Sequence, residues 1–97
     1  LVYNGTVNGV VIVNEKGQIT EKPIIRIRGV VDEGLFPDLQ QELADQITNS
    51  HNQLTRNEKM DDQKVEETAY SAVRRVFRRL AGRRPVTDIH VIRFEEE

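Results

Sequence analysis

DDQKVEETAYSAVRRVFRRLAGRRPVTDIHVIRF, residues 61–94, decides the fold. It reads as one long helix delivered almost directly into one strand. Asp61 or Asp62 supplies the cap that an α-helix needs for its first free N–H groups. Val65, Ala69, Ala72, Val73, Val76, Phe77 and Leu80 then recur at i, i+4, i+7, i+8, i+11, i+12 and i+15, a single apolar stripe that must face a core. Gly82 follows the last periodic residue, where a left-handed helix end is expected. Pro85 forbids continuation and biases Arg84 toward extended backbone. Residues 86–94 alternate as a strand. A helix tied to a strand in this way is a packing unit, and nothing in it has the pattern of a reaction centre.

Upstream, residues 7–13 are β-rich, with apolar side chains on both parities, as in a strand covered on both faces. Residues 14–17, Asn-Glu-Lys-Gly, have turn chemistry, and residues 19–28 form the second strand of an expected antiparallel hairpin. Pro23 cannot donate to a ladder, so pairing is confined to an edge or begins after it. Asp38 with Gln41 fits a capping box, and Leu39, Leu43 and Ile47 mark the buried face of a first helix ending near residues 50–54. Residues 49–60 are polar and read as a mobile connection. The expected fold is therefore α+β: a small three-stranded sheet in β-β-α-α-β order with two helices packed on one face. Residues 1–5 read as a linker, 6–94 as a single domain and 95–97 as an acidic tail. The chain opens on Leu1 rather than Met, so a piece of a longer protein is expected.

Strand alternation divides the sheet's side chains. Val11, Val13, Ile25, Ile27, Ile89 and Val91 share one face. Val10, Ile12, Ile24, Ile92 and Phe94 fall on the other, together with Arg26, Arg28, Asp88 and His90. Two helices cover only one face of a small sheet. The second apolar set is expected to meet another chain or another domain.

Composition bounds the chemistry. The 97 residues suit one domain, and a net charge of −2 gives no global attraction to nucleic acid or an anionic membrane. There is no cysteine, which removes disulfides and thiolate metal sites. No apolar run approaches the ~20 residues of a membrane span, so no membrane partner is expected. The two histidines, His51 and His90, lie far apart in sequence and match no zinc spacing. His51 reads as a solvated residue at a helix end and His90 as a half-exposed strand residue. Asp61, Asp62, Glu66 and Glu67 have a sufficient role at the positive end of a helix dipole. Ser50 and Ser71 lack a nucleophile context, and Gly5-x-x-x-Gly9 lacks the Gly-Lys of a phosphate loop. No catalytic residue, metal ligand or cofactor site is expected in the chain itself.

The charged feature with a functional reading is the arginine cluster. Arg74, Arg75, Arg78 and Arg79 repeat at helical spacing opposite the apolar stripe, and Arg83 and Arg84 extend the patch. Such a surface can neutralise phosphates. The structural reading, which the missing aromatic interleaving favours, is that these cations complement the negative end of their helix and make side-chain pairs.

Three segments taken together have a family look: Gly9-Val10-Val11-Ile12-Val13, Pro23-Ile24-Ile25-Arg26-Ile27-Arg28-Gly29-Val30-Val31, and Gly82-Arg83-Arg84-Pro85-Val86-Thr87-Asp88-Ile89-His90-Val91-Ile92. In this order, with two helices between, the chain resembles the C-terminal domain of bacterial ribonuclease J. Members of that family are metal-dependent ribonucleases with a metallo-β-lactamase core and a β-CASP insertion, and they degrade and mature RNA from the 5′ end or by internal cuts. The resemblance implies a cytoplasmic parent enzyme with zinc in an upstream catalytic core, whose metal motif has no counterpart here. It implies for this chain a non-catalytic accessory role in self-association and support of that core, with RNA reached through the parent. The alternative is an RNA-binding module built on the arginine-rich helix.

Overall fold

The computed structural model describes residues 5–29, 38–79 and 84–95. Three strands, β1 (Thr6–Val13), β2 (Ile24–Arg28) and β3 (Val86–Arg93), and three helices, α1 (Leu39–Asn52), α2 (Arg56–Lys59) and α3 (Asp62–Arg79), follow in the order β1-β2-α1-α2-α3-β3. The sheet order is β2-β1-β3, so the first strand is central. β2 runs antiparallel to β1, with Val10 opposite Ile24 and Thr6 opposite Arg28. β3 runs parallel to β1 from Thr6 opposite Val86 to Val13 opposite Arg93. The expected α+β class and the packing of the two long helices on one face are both present.

Burial follows the alternation. Val7, Val11 and Val13 on β1 and Ile89 on β3 are buried, and Ile25, Ile27 and Val91 pack against them. Above this face lie Leu39, Leu43 and Ile47 of α1 and Val65, Ala69, Ala72, Val73, Val76 and Phe77 of α3. The α3 residues are the expected stripe; Leu80 and Gly82 lie outside the described residues. Gly9 sits where an added Cβ would come within 2.9 Å of the Ile89 side chain, so the lack of a side chain leaves room for Ile89 over the central strand.

Three local expectations change or narrow. The second strand begins at Ile24, after Pro23, and only an isolated bridge between Val13 and Ile19 extends the hairpin. Asp38 precedes α1 without a side-chain cap bond. The working capping box is at Thr55, whose hydroxyl accepts from the Glu58 N–H while the Glu58 carboxylate accepts from the Thr55 N–H. That box starts α2, so the stretch read as a mobile connection is instead the end of α1 and a short helix, and Met60 and Asp61 close the turn into α3. The Asp61 side chain accepts from the Gln63 and Lys64 N–H groups at 3.0 and 3.4 Å and caps α3.

The β1–β2 turn is built by its own amide. Asn14 Oδ1 accepts from the Lys16 and Gln18 N–H groups, both at 3.0 Å. Gly17 closes the turn at φ 80°, and an added Cβ there would lie 2.3 Å from the Lys59 carbonyl oxygen. Both the left-handed backbone and the contact with α2 exclude a side chain. Gly17→Ala should therefore lower the unfolding free energy by about 2 kcal/mol or more in chemical denaturation, as expected for strain plus a backbone clash.

Candidate functional site

Three regions could carry function: the uncovered sheet face, the arginine surface of α3, and a polar junction around His51. The uncovered face is set by strand register. Thr6, Asn8, Val10 and Ile12 of β1 alternate outward, away from the buried Val7, Gly9, Val11 and Val13. Register then places Arg26 and Asp88 on either side of Asn8, Ile24 and His90 on either side of Val10, and Ile92 beside Ile12. The face thus splits along the strands. One half is polar, with Thr6, Asn8, Arg26, Arg28 and Asp88. The other half is apolar: Ile24 is 55% exposed, Ile92 50% and Phe94 36%, and the half-buried Val10 and Ile12 join them. The register brings together four of the five residues expected on this face, Val10, Ile12, Ile24 and Ile92, and Phe94 directly follows β3. Val86, 68% exposed, lies at the opposite end of β3. His90 is exposed, with Nε2 3.2 Å from the Asp88 carboxylate on the same face.

The arginines of α3 mostly have partners. Arg79 pairs with Glu42 of α1. Arg75 donates to the Ser50 hydroxyl at 2.7 Å. Arg74 donates to the Tyr70 hydroxyl at 3.1 Å and lies over that ring, 5.8 Å from its centroid. The cluster therefore clamps α1 to α3 at two points and braces α3 once on itself. Arg78 and Arg84 are exposed; Arg83 lies outside the described residues. Such exposed contacts are worth about 0–1 kcal/mol each.

His51 is not solvated, contrary to the expectation: it is 2% exposed at the end of α1. α1 ends against the β1–β2 turn, and that turn buries the imidazole. Nε2 is 2.7 Å from the Gly17 carbonyl oxygen, so Nε2 carries the proton and donates. Nδ1 is buried without a hydrogen-bond partner. Next to it, Arg93 of β3 bonds the Asp62 carboxylate at 2.6 Å, the Lys59 carbonyl at 2.8 Å and the Asn14 carbonyl at 3.2 Å. One guanidinium thus joins the turn, α2, the start of α3 and the end of β3. Sequence reasoning missed this junction because its partners are backbone carbonyls distant in sequence; only Gly17 and the polarity of His51 marked it.

Among the described residues, no three His, Cys, Asp or Glu side chains gather as metal ligands would, and no helix is long and apolar enough to cross a membrane. Each histidine stands on a different element. The residues present do not fit a zinc site.

These features define a small α+β domain with a three-stranded mixed sheet, helices on one face and a half-apolar opposite face. The chain belongs to the ribonuclease J C-terminal domain family, whose match covers residues 1–94. No match was found among curated protein sequences.

Burial away from water holds the His51 imidazole below its ordinary pKa of 6.5, and the nearby Lys59 and Arg93 charges add to this against the opposing bond to Gly17. The folded state therefore keeps His51 neutral while the unfolded chain takes up a proton. Stability is full above pH 6.5 and falls as pH drops below it toward the lowered folded value. Urea titrations at stepped pH should show that decline, and His51→Gln should flatten it.

Proposed function

We propose that this chain is the accessory domain of a ribonuclease J-like enzyme of RNA degradation and maturation, acting by self-association and by supporting the catalytic core. In this reading the chemistry, with zinc as the expected metal, belongs to an upstream metallo-β-lactamase and β-CASP core in a cytoplasmic enzyme, and the chain itself hydrolyses no RNA. The family supports the parentage. The observation that carries the role is the apolar half of the open sheet face, where Val10, Ile12, Ile24 and Ile92 are neighbours, the exposed Phe94 follows β3, and none of the described helices lies over them. Full burial of a side chain of this size contributes about 1.5–3 kcal/mol, and these are already half buried, so a specific contact has to cover several of them together. The polar half gives such a contact an orientation.

Sedimentation of the chain over a concentration series should show reversible association. Ile24→Ser with Ile92→Ser should weaken it by about tenfold or more at unchanged circular dichroism, because both side chains are already half exposed in the monomer. A strict monomer at high concentration would count against self-association.

The RNA-binding reading rests on Arg75, Arg78 and Arg79, which line one shallow groove with Gln46 and Val76. The partners found for Arg75 and Arg79 supply a structural use for two of the three. Under the RNA reading, replacing all three with Gln abolishes salt-sensitive RNA binding; under the accessory reading, the unaltered chain already binds no RNA at low salt.

A further inference from the structure

The sheet's two edges are finished differently. β2 is short, follows Pro23, and its Ile25 carbonyl accepts a bond from the Gln40 side chain of α1 at 3.1 Å. β3 is eight residues long with no proline within it. Its N–H groups at Val86 and Phe94 bond the Gly5 and Val13 carbonyls of the β1 side, both at 3.0 Å. Backbone direction alternates along a strand, so Thr87, Ile89, Val91 and Arg93 turn their N–H and C=O groups to the opposite side. Among the described residues no strand pairs with that side. A long edge without a guard is a template for another strand.

The sequence of β3 selects the strand. In an antiparallel pairing of β3 with its own copy, outward-facing residues must meet outward-facing residues, so odd positions pair with odd ones. Centring on Asp88 would set two Asp88 carboxylates face to face. Centring on His90 would set Asp88 against Ile92, and centring on Val91 would set it against Phe94. Centring on Ile89 sets Asp88 against the second copy's His90 and Val86 against its Ile92, each twice by symmetry. Acid then meets imidazole, and the two most exposed apolar residues of the strand, 68% and 50% exposed, cover each other. This arrangement alone matches chemistry at every outer-face pair.

We infer that the partner of the β3 edge is a second copy of this chain, paired antiparallel about Ile89 to give a continuous six-stranded sheet. The inference rests on the self-association reading and commits it to an edge and a register that bury Ile92, while Val10, Ile12 and Ile24 stay on the open side of the joined sheet. The two open faces then lie on the same side of the joined sheet, and their apolar halves are extended by Val86 of each copy.

The chain has no cysteine, so cross-linking reads the register directly. Asp88→Cys and His90→Cys proteins, mixed in denaturant, refolded together and oxidised, should give a disulfide-linked heterodimer. Directly opposed residues at a non-hydrogen-bonded pair are about 4.5 Å apart between Cα atoms, within disulfide reach. Either protein alone should give little, because the like positions are then diagonal, at roughly 7–8 Å. Thr87→Pro removes an outward N–H and should weaken association by roughly 30-fold or more through two symmetric lost bonds. A chain that associates but cross-links no better in the mixture than in either protein alone would overturn the edge pairing and leave self-association standing. So would a folded Thr87→Pro protein that associates as tightly as before. Should that protein fail to fold, the cysteine mixture decides. A chain that never associates overturns both readings.

Discussion

The structure depends on pairing at both edges of β1. That strand takes β2 antiparallel on one side and β3 parallel on the other, so among the described residues it is the only strand whose backbone bonds are filled on both sides. Its Val7, Val11 and Val13 are the floor on which both long helices rest. The end of β2 and the start of β3 both lie beside Thr6, so the chain between them leaves that end of the sheet and returns to it. α1 and α3 make that journey on one face. Among the described residues the other face is left uncovered, and the half-apolar surface there is a consequence of topology as much as of composition.

The path is held at its end by polar contacts. Arg93 gathers the β1–β2 turn, α2 and the start of α3 around the last residue of β3, and His51 seals the same turn against α1. Gly17 makes this possible, because any larger residue would push the turn off α2. Along the helix pair, Arg75 and Arg79 tie α3 to α1 at Ser50 and Glu42. Apolar packing supplies the area, while these contacts fix which turn meets which helix.

Much of this was legible in the sequence, for a physical reason. The α3 stripe and the β3 alternation are local periodicities, and they named both the buried and the open faces residue by residue. The short helix was misread as a mobile connection although Thr55 and Glu58 stand at capping-box spacing, whereas the box assigned to Asp38 and Gln41 does not form. Strand order was not legible, since Val7–Val13 has apolar residues on both parities and its choice of two partners is a property of the whole chain. His51 was misread because its burial depends on a turn 34 residues away. The arginine partners Glu42 and Ser50 carry no sequence mark at all, so the favoured reading of paired cations had no named partners until α1 was placed beside them.

The parallel pairing of β1 with β3 also governs when the domain can form. Its contacts join Thr6 to Val86 and Val13 to Arg93, nearly the longest separations the chain offers. Loop closure over such a span precedes any gain from the ladder, which slows folding relative to a helical bundle of this size. During vectorial synthesis, the hairpin and both helices emerge before the strand that completes the sheet, and β1 waits with one flank exposed. A chaperone or a neighbouring nascent chain has its opportunity in that interval, and the order of synthesis makes the last-made strand the gatekeeper of the native state.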